Sequence, residues 1–242
     1  MNWAVLAMSL VSGLSTPLGA VLVAARRGLS RRFLAGVLGL ASAVMATVTL
    51  TELWPLAIRV SGFSTAAMAA VGGAAAMGVL RLFMTPVHES GGSAAHLRAT
   101  GWFILTAIAL HDVPEGMAIG AGDAVRAQVG VLIAAALALH NIPEGMSIAT
   151  PLAMGGVSRR SILLATLLVA AVTPLGTAAA IVLGHVSPGW TGLMLGGAGG
   201  AMAYVVARDT GPEAWKSARG TAVLGAVVGA LLMLTVNHFF GV

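Results

Sequence analysis

Two apolar stretches decide the fold of this 242-residue chain: TGWFILTAIALHDVPEGMAIGA (residues 100–121) and QVGVLIAAALALHNIPEGMSIATPL (residues 128–152). Each is long enough to cross a bilayer as a helix. Each also carries a near-identical hexapeptide at its centre, HDVPEG (111–116) or HNIPEG (140–145). An ionisable side chain deep in a membrane helix costs about 2.5–3.5 kcal/mol on insertion, so it indicates a functional site. A bound cation is the simplest compensation for such carboxylates.

The composition of the whole chain is typical of a membrane protein. It is 58% hydrophobic and only 9% charged, and its 32 glycines suit closely packed helices. The net charge of +5 does not favour nucleic-acid binding, because the arginines fall between apolar runs. We therefore predict an all-α membrane protein, a single domain over 1–242, with eight spans near 3–24, 33–56, 65–84, 100–121, 128–152, 161–184, 190–207 and 220–240.

The distribution of basic residues predicts the orientation in the membrane. All but two of the 13 basic residues fall on one side of the predicted spans, and Arg59 and Arg126 fall on the other. The positive-inside rule makes the first side cytoplasmic and places both termini outside the cytoplasm. The predicted location is the inner membrane of a cell. The basic residues on the cytoplasmic side are Arg26, Arg27, Arg31, Arg32, Arg81, Arg98, Arg159, Arg160, Arg208, Lys216 and Arg219.

A shift of 157 positions aligns the chain with itself without a gap. TPLG at 16–19 falls on TPLG at 173–176, and Glu52 falls on Asp209. The shift relates spans one to three (about 3–84) to spans six to eight (about 161–240), so equivalent spans are five apart and must point in opposite directions. Inverted repeats with a midplane site between them are typical of secondary transporters. The alternative is that shared helix-packing composition alone produces the matches.

The hexapeptides predict a metal site on the two central helices (about 100–152). Residues four apart share a helix face, which groups His111 with Glu115 and His140 with Glu144. Asp112 and Asn141 point about 100° away and form a neighbouring shelf. Imidazole and carboxylate ligands suit divalent first-row ions such as zinc, iron(II) or manganese. The chain has no cysteine, which excludes thiolate ligands. The alternative is that buried His–Glu pairs only hold a helix bundle together.

These residues resemble the ZIP family of divalent metal-ion transporters (zinc- and iron-regulated transporter-like proteins), particularly its bacterial members. The resemblance rests on eight spans, external termini and the H-[ND]-x-P-E-G signature in spans four and five. It also covers ELWP at 52–55 and the stretch 204–213. It implies transport of zinc, or of iron, manganese or cadmium, into the cytoplasm. The ion is then substrate rather than cofactor, and the protein is a homodimer in a lipid bilayer. The resemblance places the midplane site on His111, Glu115, His140 and Glu144.

The chain departs from this family at two positions. The family often has a second metal site that uses a glutamate just before a proline in span six, where this chain has Thr173 before Pro174. Many members have asparagine after the first histidine, where this chain has Asp112. A neutral hydroxyl does not replace a carboxylate, so a full second site is in question, whereas Asp112 restores one negative charge.

Several further residues are weaker candidates for the transport pathway. They are acidic or imidazole side chains at span ends or in the loop after span three: Glu52, His88, His96, Asp123 and Asp209. For each, the alternative is an ordinary polar terminus or a solvated loop.

Three functions remain open from the sequence. The first is a carrier or channel for divalent metal ions, and the protein is then not an enzyme. The second is a metal-dependent intramembrane hydrolase that activates water at the same ligands, although the His-Glu-x-x-His signature of zinc proteases is absent. The third is a metal sensor or structural subunit, but no soluble domain is attached to carry a signal.

Overall fold

A computed structural model of the chain describes residues 3–26, 28–84, 93–125, 127–183 and 188–240. Arg27, His88 and Arg126 lie outside the described residues. The described part is built of α-helices with two short π-helical segments, Thr49–Leu53 and Val206–Thr210. The α-helices are α1 Trp3–Gly13, α2 Ser15–Ala25, α3 Arg31–Val48, α4 Trp54–Ser61, α5 Phe63–Met84, α6 Ala94–Val125, α7 Ala127–Met154, α8 Arg159–Ala170, α9 Val172–Leu183, α10 Pro188–Val205, α11 Gly211–Ser217 and α12 Arg219–Phe240.

Eight helical segments of the described chain are long and apolar enough to cross a membrane. They confirm the all-α class and the number of predicted spans. Span one is α1 with α2, span two α3 with α4, and span six α8 with α9. Span seven is α10 with α11, and spans three, four, five and eight are single helices. The printed bounds of the eight spans are Trp3–Ala25, Arg31–Ser61, Phe63–Met84, Ala94–Asp123, Gln128–Met154, Arg159–Val182, Gly189–Ser217 and Arg219–Phe239.

Span seven is longer than predicted. The sequence placed its end near residue 207 and assigned Arg208 and Lys216 to the following loop. The helix instead continues through the π-helical segment 206–210 and α11 to Ser217. It can do so because Asp209 and Glu213 are buried and pair with basic residues of neighbouring spans. The two carboxylates therefore lie inside the end of the bundle rather than in a loop.

Small residues set how the spans pack. α3 packs on α12 and α5 packs on α10, both along much of their length. At the first of these contacts, Gly39 lies on the backbone of Ala222. At the second, Gly73 lies on the backbone of Gly197. Close backbone approach through glycine is a common means of helix association in lipid, where no hydrophobic effect drives the helices together. A second group of helices, α2, α6, α7 and α9, packs around the hexapeptides.

The helix boundaries recur at the offset found in the sequence. α3 (Arg31–Val48) and α10 (Pro188–Val205) begin 157 residues apart and end 157 residues apart, and so do the two π-helical segments. Each π-helical segment precedes a proline near the start of the next helix, Pro55 or Pro212. A proline ring clashes with the carbonyl four residues earlier, which widens the turn there. The repeat therefore accounts for these paired irregularities as well as for the residue identities. Its inversion in a membrane stays a prediction.

Candidate metal site

The two hexapeptides lie inside long helices that pack against each other. α6 and α7 continue through Pro114 and Pro143 without a break, and their side-by-side packing is extensive. A proline inside a helix removes one backbone hydrogen bond. The backbone hydrogen-bond ladder therefore lacks one bond at the level of the candidate ligands on both helices.

The glycine that ends each hexapeptide brings two more spans to this level. A Cβ atom added at Gly116 would overlap the carbonyl oxygen of Thr173, and one added at Gly145 would overlap that of Thr16. Only glycine fits at such backbone contacts. Span six is thereby held against span four, and span one against span five.

Two imidazoles and two carboxylates meet between α6 and α7. The His111 Nε2 atom lies 3.5 Å from Glu144 Oε1, and the His140 Nε2 atom lies 3.4 Å from Glu115 Oε2. Each of the four side chains is at most 3% exposed. The sequence grouped each histidine with the glutamate on its own helix, whereas these contacts join the two helices. We call these four residues the His–Glu cluster.

Asp112 lies closer to the His–Glu cluster than predicted. Its Oδ1 atom is 3.8 Å from His111 Nε2, and the side chain is fully buried. Donor atoms of His111, Asp112 and Glu115 lie within 4.8 Å of one another, a spacing at which three side chains can share one ion. Asp112 therefore lies directly beside the His–Glu cluster, closer than the separate shelf that the sequence predicted.

Asn141 ties the cluster to span one. Its Nδ2 atom donates a hydrogen bond of 3.1 Å to the carbonyl oxygen of Ser12. Its Oδ1 atom is buried and has no hydrogen-bond partner in the described chain. Span one thus orients the amide, and the Oδ1 acceptor stays without a hydrogen-bond partner among the described residues.

The carboxylates carry more oxygen atoms than the protein satisfies. Both carboxylate oxygens of Asp112 and of Glu144, and one of Glu115, are buried without a hydrogen-bond partner among the described residues. A buried polar group without a partner costs free energy, and a buried charge costs more. Several such oxygens in one place point to a missing positive charge, which a cation supplies.

Glu52 extends the negative charge towards span two. It lies in the first π-helical segment, close enough to His140 and Glu115 for their charges to interact. Its Oε1 atom is buried without a hydrogen-bond partner in the described chain. Glu52 therefore has an electrostatic link to the cluster.

The structure places the other pathway candidates away from the His–Glu cluster. Asp209 forms a 2.8 Å ion pair with Arg81. The His96 Nε2 atom lies 3.3 Å from Glu213 Oε2. Asp123 lies near the end of α6, eight residues or about 12 Å beyond Glu115. His88 lies outside the described residues.

Sequence reasoning missed three hydroxyl side chains near the cluster. Thr177 Oγ1 donates a 2.8 Å hydrogen bond to the carbonyl oxygen of Gly116. The other two are the hydroxyls of Ser12 and Thr16, which are buried without partners in the described chain; the hydroxyl of Thr173, which the sequence analysis did name, is in the same state. The TPLG repeat at 16–19 and 173–176 was the available signal, because it placed Thr16 and Thr173 at equivalent positions. Nothing in the spacing indicated Ser12 or Thr177.

Comparison with known proteins links this arrangement to one family. Residues 84–237, which include both hexapeptides, match the family model described as ZIP zinc transporter. A zinc transporter ZupT from Corynebacterium efficiens is 31% identical over 95% of this chain and 94% of its own length. A zinc transporter ZupT from Chlorobium luteolum is 30% identical, covering 95% of both chains.

Proposed function

We propose that this chain, which belongs to the ZIP family of zinc transporters, carries divalent transition-metal ions across a membrane, with zinc as the first candidate. The observation that carries this proposal is the His–Glu cluster, which gathers two imidazoles and two carboxylates halfway along two apolar helices. The names of the relatives support zinc as the ion. Iron, manganese and cadmium are further candidates.

We assign His111, Glu115, His140 and Glu144 as the ligands of the transported ion. Imidazole nitrogens and carboxylate oxygens are ligands that zinc commonly takes, and zinc prefers four of them. A divalent ion between the helices would take up the carboxylate oxygens that the protein leaves without partners. Asp112 and the free oxygen of Asn141 are auxiliary donors next to this site.

We infer that transport runs into the cytoplasm, with both chain termini outside it. The support is the concentration of basic residues on one side of the spans.

We also propose that spans one to three and six to eight form an inverted repeat around the central pair, and that the protein is a homodimer, as its family resemblance implies. Glu52 is our first candidate for a further pathway residue, because it is linked electrostatically to the cluster. His96 and Asp209 would have to leave Glu213 and Arg81 to contact an ion.

A flux assay with purified protein tests the proposed function. The protein is reconstituted in liposomes that contain a metal-sensitive dye, and zinc is added outside. We expect dye response with the natural chain and its loss in His140→Ala/Glu144→Ala. Glu213→Gln serves as a control, because it also changes a buried glutamate but lies outside the cluster, so its zinc flux should persist. Zinc binding without flux in the natural chain would instead favour the hydrolase or sensor alternatives.

A further inference from the structure

A cavity of about 450 Å³ opens at the arginine-rich end of spans one, five and six. Its walls include Val23 of span one, Ala149 and Ala153 of span five, and Ile162 of span six. The connections after span one and before span six complete it. This volume is within the range of protein sites that hold small molecules.

Two arginines line the cavity alongside these apolar walls. Arg26 follows α2, and its guanidinium carbon lies 4.3 Å from the centroid of the Phe33 ring. Arg159 is the first residue of α8. Among the described residues, neither arginine forms an ion pair with a carboxylate. Two positive charges therefore border an apolar cavity that has no acidic lining residue.

This charge distribution excludes the cavity as a route for metal ions. Two guanidinium groups repel a divalent cation at close range. Among the described residues, the carboxylates at the same end are those of Asp209 and Glu213 in span seven, which contributes no lining residue. A ligand with an anionic group and an apolar extension matches both the two arginines and the apolar walls of the cavity.

We propose that this cavity binds an anionic phospholipid such as phosphatidylglycerol. The phosphate group lies between Arg26 and Arg159, since guanidinium groups bind phosphate with paired hydrogen bonds. An acyl chain lies along the apolar wall of spans one, five and six. Basic pockets between membrane helices hold anionic head groups in this way. The site is independent of the metal function and of the direction in which the chain crosses the membrane.

Lipid retention by charge-matched variants tests the site. Purified protein is mixed with phosphatidylglycerol or with zwitterionic phosphatidylcholine, and bound lipid is counted by native mass spectrometry. We expect Arg26→Gln/Arg159→Gln to lower the affinity for phosphatidylglycerol about tenfold or more. Arg32→Gln/Arg160→Gln removes two exposed arginines from the same end, outside the cavity lining, and should change the affinity less than twofold. An equal loss in both variants would show unspecific surface attraction and overturn the proposal.

A cavity-filling variant tests the acyl chain separately. Ala153→Phe leaves both arginines in place and fills part of the apolar wall, so phosphatidylglycerol retention should fall several-fold. Unchanged retention would overturn the proposed lipid position. Inorganic phosphate that displaces phosphatidylglycerol completely at millimolar concentration would also overturn it, because a free anion would then suffice. Zinc binding equal to that of the natural chain shows that each variant is folded.

Discussion

At the scale of single residues, the central feature is that each histidine contacts the glutamate of the other helix. His111 faces Glu144 and His140 faces Glu115 across the interface of α6 and α7. The sequence could predict which residues share a helix face, because that follows from 3.6 residues per turn. It could not predict the partner across the interface, because that depends on the relative shift of two helices. An ion at this place therefore bridges two helices rather than binding to one.

Replacing Asp112 tests whether its charge contributes to the affinity for the ion that the His–Glu cluster would bind. We expect Asp112→Asn to lower zinc affinity about tenfold and to change the transport rate or ion preference. The reason is that one negative charge 3.8 Å from His111 is lost while all four proposed ligands remain. Isothermal titration of the purified variant with zinc and manganese measures the effect.

The control for this prediction is the same substitution elsewhere on the same helix. Asp123→Asn removes a carboxylate about three turns from Asp112 and should leave the affinity within twofold. Complete loss of zinc binding in Asp112→Asn would mean that Asp112 is a main ligand and would contradict the division of roles proposed above.

At the scale of helices, two glycine contacts fix the distance between spans at the level of the site. We expect Gly116→Ala to destabilise the protein by about 1–3 kcal/mol, because the new methyl group meets the backbone carbonyl of Thr173. A backbone atom in a packed helix cannot turn away as a flexible side chain can. Thermal unfolding in detergent measures the change.

Gly72→Ala is the matched control for the contact at Gly116. Gly72 also lies inside a helix, but a Cβ atom added there meets nothing within 4 Å. Alanine favours a helix over glycine by about 0.8–1 kcal/mol, so this variant should be as stable as the natural chain or more stable. If both variants unfold at the same temperature, the prediction is wrong, and the contact of Gly116 with span six does not fix the distance between spans four and six.

The length of span seven shows where a hydropathy pattern fails at this scale. Apolar residues end near 207, and the next ten positions include Arg208, Asp209, Glu213 and Lys216, which is typical of a loop. The helix continues because Asp209 pairs with Arg81 of span three and Glu213 pairs with Arg31 of span two. These partners are over a hundred residues distant in sequence. The eight spans themselves were predictable, since each depends only on a local run of apolar residues.

At the scale of the whole molecule, the two halves share their irregularities as well as their regular helices. The break in span one before Ser15 recurs in span six before Val172, and both breaks lie close to a proline, Pro17 or Pro174. The same offset of 157 residues relates two contacts at the site. Gly145 lies on the backbone of Thr16, and Gly116 lies on the backbone of the equivalent residue, Thr173. In the inverted repeat proposed above, the His–Glu cluster would lie between the two halves, on spans four and five.

The predicted orientation leads to a test that the absence of cysteine makes simple. Since the chain has no cysteine, one introduced thiol reports one position. Ser64 lies at the start of α5, two residues after Gly62, where the backbone turns with a φ of 81° between spans two and three. Ser93 directly precedes α6 at the opposite end of the bundle. Both positions are exposed, so a thiol at either one can react with an aqueous reagent.

In intact cells, a membrane-impermeant maleimide should label Ser64→Cys and should label Ser93→Cys only after lysis. The physical reason is that basic residues resist transfer across the membrane during insertion, and Arg81 and Arg98 flank the connection that contains Ser93. Labelling of a control thiol on a known cytoplasmic protein checks that the cells stay sealed. The reverse pattern would place the termini in the cytoplasm. Labelling of both positions without lysis would mean that α5 does not separate them across the bilayer. The proposed inverted relation of the two halves requires Ser64 and Ser93 to lie on opposite sides of the membrane, because span three must cross the bilayer for spans three and eight to run in opposite directions.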